Sequence, residues 1–302
     1  MKNIVYVKNA FSISQNEGRL RFKNVITKEE HFMYCDELSV LVLENKHSFI
    51  RTDAVNALLG HNVLVLYCNE KFTPVAILSG DFGHSNKLHV MRRQMLLNKK
   101  TKDRLWQKII KYKIENQRKV VICYTAYDIE IDGRFTKHIS NVQIGDETAR
   151  EAVAARLYFD IIFGLKFIRG RYDDKINASL NYGYAVLRAV IRKTLVIHGF
   201  EPCLGIKHSS GENPFNLADD IIEPYRPFVD AVVLQYIIDN GFEIFRREDR
   251  LILTEQVLTL PCLMEDKSFT VHDAIDETIK SLSRCYDKNS SSGIMLPRFI
   301  EP

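Results

Sequence analysis

Two separated patches of this 302-residue chain carry side chains that could do chemistry together. One is Glu151, inside Thr148-Ala-Arg-Glu-Ala-Val-Ala-Ala-Arg-Leu-Tyr-Phe159; the other is His208, followed by Asn216-Leu-Ala-Asp-Asp-Ile-Ile-Glu-Pro-Tyr-Arg-Pro227. Brought to one point they would offer two or three carboxylates and an imidazole, the ligand set of a divalent-metal site built for phosphodiester chemistry. A hard ion, Mg²⁺ or Mn²⁺, suits such donors; the imidazole makes Mn²⁺ an acceptable alternative, and zinc fits less well. Its work would be to polarise a phosphoryl oxygen, activate a water or a 3′-hydroxyl and stabilise the leaving oxygen.

Each residue also has a purely structural reading. Thr148 as N-cap with Glu151 three residues later spells a capping box. His208 sits in a polar loop after Gly199-Phe-Glu-Pro-Cys-Leu-Gly205, where a lone histidine can simply be hydrogen-bonded. Asn216 can cap a helix from Leu217 to Ile222, placing Asp219 and Asp220 in a first turn that favours negative charge. That leaves Glu223 unexplained, because carboxylates on one helix face repel unless a cation or proton intervenes. Pro224 disfavours helical backbone at Glu223, so the helix kinks or breaks there; Pro227 can open the next, which Asn240-Gly241 ends.

The surrounding pattern indicates the elements that must position these residues. Up to about Leu78, short β-branched and aromatic runs (Ile4–Val7, Leu38–Leu43, Val63–Tyr67) alternate with turns such as Gln15-Asn-Glu-Gly18. Thr52 or Asp53 can cap one short helix, Ala54–Leu59, stopped by Gly60-His61-Asn62. From Lys87 the period becomes helical, over 87–98, 101–119, 147–163, 176–198, 217–240 and 270–285, with Asp132-Gly133 read as a turn in a less regular stretch. The expected fold is α+β: a small N-terminal β-domain over 1–78, a linker over 79–86, and a larger all-helical C-terminal domain over 87–302. The tail at Lys288–Gly293 reads as mobile until Pro297.

Composition sets the class. A chain with 46% hydrophobic and 26% charged residues can bury a core, no run approaches a membrane span, and the start lacks a signal-peptide core, which points to the cytoplasm. Six scattered cysteines form no zinc or redox pair and read as reduced, mostly buried thiols. The net charge of +4 is modest, but residues 87–119 hold twelve Lys or Arg against Asp103 and Glu115, a local +10. Arg104, Lys108 and Lys111 share a helix face there, while Leu105, Trp106 and Ile109 face inward or flank it. Phosphate-binding candidates are Arg92, Arg93, Arg104, Lys108, Lys111, Arg169, Arg171 and Arg188, each of which could equally belong to a solvated face or an ion pair.

Taken together, the phrase Asn213-Pro-Phe-Asn-Leu-Ala-Asp-Asp-Ile-Ile-Glu-Pro-Tyr-Arg-Pro227 resembles the first CRISPR-associated protein, the integrase-nuclease of spacer acquisition, in its type II branch. Lys113-Ile-Glu-Asn-Gln117, Glu151–Phe159 and Asn177-Ala-Ser-Leu-Asn-Tyr-Gly-Tyr184 match as well, and the resemblance covers nearly the whole chain. It implies that Glu151, His208 and Glu223 are the metal-binding and catalytic set, with Asp220 a supporting carboxylate and Mg²⁺ or Mn²⁺ the cofactor. Ser209 stands where many relatives carry a second histidine, which leaves the triad intact. The resemblance further implies homodimers flanking a dimer of the second CRISPR-associated protein, double-stranded DNA as ligand, contacts with other type II adaptation and effector proteins, and no membrane. The implied reaction is attack of a captured fragment's 3′-hydroxyl on a phosphodiester of the repeat array. Two rivals are a structure-selective DNA nuclease acting by hydrolysis and a non-catalytic DNA-binding scaffold.

Overall fold

A computed structural model describes residues 3–70, 74–78, 86–126, 128–170, 174–241 and 247–300. The chain divides into two compact units, Met1–Gly83 and His84–Pro302. The expected linker falls almost wholly on 79–85, outside the described residues, as does Arg171.

The first unit holds β1 (Asn3–Val7), β2 (Phe11–Asn16), β3 (Arg19–Asn24), β4 (Glu30–Tyr34), β5 (Leu38–Leu43), β6 (Phe49–Ile50), α1 (Thr52–Gly60), β7 (Leu64–Cys68) and β8 (Pro74–Leu78). Its two four-stranded sheets run β1-β5-β7-β8 and β4-β3-β2-β6. β5 lies between parallel neighbours, and all six of its residues are buried, as an unbroken apolar run in a parallel sheet requires. β3 instead alternates, burying Leu20, Phe22 and Asn24, and pairs with β2 through a turn with positive φ at Glu17 and Gly18. Ala54 and Leu58 of α1 enter the same core as Ile13, Leu38, Leu41 and Val65. The expected cap differs: Arg51 occupies the N-cap position, and Asp53 accepts from the Ala54 N–H.

The second unit is largely helical: α2 (Lys87–Leu96), α3 (Lys99–Tyr124), α4 (Ile129–Ser140), α5 (Arg150–Phe163), α6 (Lys175–Ile197), α7 (Asn216–Ile221), α8 (Arg226–Asn240), α9 (Arg247–Thr259) and α10 (Val271–Asp287). It also carries a small antiparallel sheet, β10-β9-β11, from β9 (Pro261–Met264), β10 (Lys267–Thr270) and β11 (Arg298–Phe299). These strands are too short for a period-2 signal, and β11 pairs with β9 across more than thirty residues. Asp132-Gly133 is no turn; it lies inside α4, whose N-cap Asp128 accepts from the N–H groups of Glu130 and Ile131.

α3 is the axis of this unit. Asn98 caps it, accepting from Thr101 N at 2.7 Å, and its 26 residues bury a stripe from Leu105 and Trp106 through Ile109, Ile110 and Ile114 to Val120 and Val121. Lys113, Asn116 and Gln117 interrupt that stripe at i, i+3 and i+4 and are buried with it, so one polar face points into the domain. α6 and α8 approach closely at Gly183, where an added Cβ would meet a Val229 methyl at 2.4 Å. No helix among the described residues is long and apolar enough to cross a membrane. All six cysteines are free; Cys35, Cys262 and Cys285 are buried, whereas Cys203 is exposed.

Candidate active site

Glu151 stands at the second residue of α5, and its environment differs from a capping box. The N-cap residue is Ala149 in left-handed conformation, and the cap is supplied by Asp146, which accepts from Arg150 N at 2.9 Å and Glu151 N at 3.1 Å. The Glu151 carboxylate is thereby free of capping, and its Oε1 accepts from Lys113 Nζ at 2.5 Å. The same ammonium lies 2.5 Å from Glu223 Oε2.

Glu223 opens a 3₁₀ turn, Glu223–Tyr225, between α7 and α8. Pro224 forces the break, and the backbone is held by Asn116, whose Nδ2 donates to Pro224 O at 2.8 Å and to Pro297 O at 3.0 Å. Asn116 Oδ1 accepts from Phe299 N at 2.9 Å, so one buried amide secures both the Glu223 turn and β11. Arg226 Nε donates to Glu223 Oε1 at 2.9 Å. Burial by itself would push the Glu223 carboxyl up, but Arg226 and Lys113 hold it well below the usual carboxylate range. Burial would likewise lower the Lys113 ammonium, yet Glu223 and Glu151 outweigh it and the group is raised and charged.

His208 is organised by Asp220. Asp220 is wholly buried; its Oδ2 accepts from Ile206 N at 2.5 Å and Lys207 N at 3.0 Å, and its Oδ1 from His208 N at 3.1 Å and His208 Nδ1 at 2.8 Å. This hydrogen bond raises the imidazole against the lowering effect of burial, with Glu223 and Asp219 adding to the rise. The Trp106 ring meets His208 edge-on at 5.8 Å. Gly205 is packed so tightly that a Cβ would fall 2.2 Å from the His208 carbonyl oxygen. Asn216 does not cap α7: Phe215 holds that position, and the Asn216 amide donates to Cys203 O and Ser210 O, closing the loop ahead of the helix. Asp219 is bound bidentately by Arg188 and also accepts from Asn213.

The structure therefore joins Glu151 and Glu223 through one cation and fixes His208 by its Nδ1, leaving Nε2 as the ring nitrogen able to ligate. Among the described residues, no three His, Cys, Asp or Glu side chains surround one point as a metal site. The donors nevertheless fit a hard divalent ion. Two carboxylate oxygens that share the Lys113 nitrogen at 2.5 Å each are no more than about 5 Å apart, a spacing one ion can close. A ligating imidazole also characteristically gives its other nitrogen to a carboxylate, as His208 does.

The basic candidates separate by partner. Arg93 pairs with Asp287, Lys108 donates to Ser291 O, Arg169 donates to Asn177 and Asn181, and Arg188 holds Asp219 while stacking on Phe215. Arg92 and Arg104 are exposed. Lys111 lines a cavity of about 530 Å³ with Tyr112, Lys119, Leu263, Arg298 and Ile300. The sequence placed Lys113 in the basic run and, with Asn116, in the matching stretch Lys113–Gln117, but gave Lys113, Asn116, Asp146 and Arg226 no part in the site. The available signal was the polar triplet Lys113, Asn116, Gln117 inside the apolar stripe of α3.

The sequence model of the family described as CRISPR associated protein Cas1 matches residues 5–259. The chain belongs to the Cas1 family. It is 34% identical over 277 residues to the CRISPR-associated endonuclease Cas1 of Neisseria meningitidis serogroup C (strain 8013), an alignment covering 90% of this chain and 88% of that relative. Among solved structures, a casposase bound to integration product shares the Cas1 fold with a TM-score of 0.78 at 19% identity, covering 96% of this chain and 92% of its own. A Cas1 protein from Thermotoga maritima does so at 0.75 and 11% identity, covering 94% and 97%. A Cas6-RT-Cas1–Cas2 complex superposes at 0.76 and 20% identity over 99% of this chain and 36% of that one.

Proposed function

We propose that this Cas1-family chain is a metal-dependent DNA integrase and endonuclease of CRISPR adaptation, joining 3′-hydroxyl ends of captured DNA into the repeat array by transesterification. The observation that carries this reading is the convergence of Glu151 and Glu223 on one buried cation; His208, oriented by Asp220, feels the charge of Glu223. Membership of a family whose curated relative is named an endonuclease supports phosphodiester chemistry, and the fold shared with a casposase bound to integration product supports joining.

Glu151, His208 and Glu223 would hold Mg²⁺ or Mn²⁺, which supplies charge stabilisation for the attacking and leaving oxygens when bound. Asp220 fixes the ring so that Nε2 is presented, and Arg226 keeps Glu223 ionised in a buried position. Glu151 and His208, with 31% and 46% of their side chains exposed, are the members of the set open to an entering phosphodiester. Water in place of the 3′-hydroxyl would give hydrolysis at the same site. Double-stranded DNA is the proposed ligand, and a homodimer with a Cas2-type partner the proposed assembly, the latter supported by the fold shared with the Cas6-RT-Cas1–Cas2 complex.

The test incubates the protein and its Cas2-type partner with a short duplex bearing free 3′-hydroxyls and a supercoiled repeat plasmid, in Mn²⁺ or EDTA. Metal-dependent joining, lost in Glu223→Ala and on blocking the 3′ ends, is expected. Nicking without joining would establish the nuclease instead, and unchanged behaviour of the variant would remove Glu223 from the site.

A further inference from the structure

Lys113 has no precedent in a site read only as a carboxylate and imidazole set. It projects from mid-α3, its side chain is 8% exposed, and its ammonium touches a carboxylate from α5 and another from the 3₁₀ turn. Glu223, Glu151 and, from the first turn of α8, Arg226 act on its charge. Two cations, Lys113 and Arg226, thus meet two carboxylates, Glu151 and Glu223. A fully ionised pair of glutamates without Lys113 would repel across a separation of at most about 5 Å in a poorly solvated setting.

We propose that Lys113 is the site's internal counter-ion, a positioning residue that holds Glu151 and Glu223 converged and competes with the divalent ion for the same two oxygens. The inference rests on the metal-site reading above and concerns what sets its affinity. An ion placed on Glu151 Oε1 and Glu223 Oε2 is opposed by the charge of the ammonium that both oxygens already face, and weakens two charge-assisted hydrogen bonds. A merely structural lysine would influence folding without opposing the ion.

The opposition is a matter of charge, and a charge series tests it. Mn²⁺ affinity of the full chain is measured by electron paramagnetic resonance of the free ion, for wild type, Lys113→Arg, Lys113→Gln and Lys113→Met. The neutral variants are expected to bind Mn²⁺ tighter than wild type by about tenfold or more, with Lys113→Arg close to wild type. Their melting temperature should be lower without metal and rise further on adding Mn²⁺ than that of wild type. Lys113→Gln retains hydrogen-bond donors and keeps the test available should Lys113→Met not fold. Wild-type binding with equal or weaker binding in both neutral variants overturns the role of Lys113 alone. No Mn²⁺ binding by any of the four overturns the metal reading as well. Binding that appears only in the neutral variants supports the inference.

Discussion

Asp220 and His208 are joined twice, through the backbone N–H of His208 at 3.1 Å and through its ring Nδ1 at 2.8 Å. With the N–H groups of Ile206 and Lys207 also aimed at it, the carboxylate is the mould on which the 205–208 loop sets. Asp220→Ala would orphan three backbone donors and should cost at least about 3 kcal/mol in a urea titration. Mn²⁺ affinity should fall by roughly 10- to 100-fold, as on losing the outer partner of a ligating imidazole. Intact affinity would detach Asp220 from the site.

The same pair gives a pH dependence. Asp220 raises the folded-state pKa of His208 above its ordinary 6.5, so the stabilisation it provides is complete below that value and is lost as pH climbs through the raised one. Asp220→Asn should return the His208 ring toward its ordinary titration, followed by NMR of the metal-free protein.

Asp230 runs the other way for a carboxylate. It is buried and accepts from the Tyr184 hydroxyl; Tyr158 faces the same carboxylate without a hydrogen bond of regular geometry. Burial pushes it up to about 6, against Tyr184, Tyr158, Arg169 and Arg226, which lower it. The folded state then holds the proton more tightly than the unfolded chain, so stability falls as pH rises from the ordinary carboxylate range through 6. Asp230→Asn should gain on wild type as pH rises from about 3 to 7, by up to about 3 kcal/mol in all, roughly half of it above pH 5. A difference in melting temperature that does not change with pH would contradict this.

Gly183 sits in a helix interior, where alanine ordinarily stabilises by about 1 kcal/mol. Here the new methyl would collide with Val229, so Gly183→Ala should instead destabilise by about 1–3 kcal/mol. Val229→Ala should recover part of that loss in the double variant, a coupling that denaturant midpoints will show.

Arg92 and Arg104 are exposed on the basic helices α2 and α3, while Arg93 and Arg188 are engaged in ion pairs. If the exposed pair contacts phosphates, Arg92→Glu and Arg104→Glu should each weaken duplex binding for every sequence. Each should also reduce the slope of log affinity against log salt by about one. Unchanged affinity and slope would clear both residues of contact with DNA.

The sequence by itself determined the two-part α+β plan, because the change from short β-branched runs to 3.6-residue periodicity at Lys87 follows from local backbone geometry. It also determined the break at Glu223, since Pro224 constrains its predecessor whatever surrounds it, and the end of α8 at Gly241. Local rules misassigned Glu151 and Asn216, because a capping box and an N-cap compete with partners the local pattern cannot reveal. Asp146 and Lys113 claimed the first site, and the Cys203 and Ser210 carbonyls claimed the second. The tertiary structure alone decided that Lys113 lies between two carboxylates 38 and 110 residues away, and that one amide, Asn116, ties the Glu223 turn to the C-terminal strand. Both are consequences of burial: a polar group taken out of water must find its partner wherever in the chain the fold supplies one.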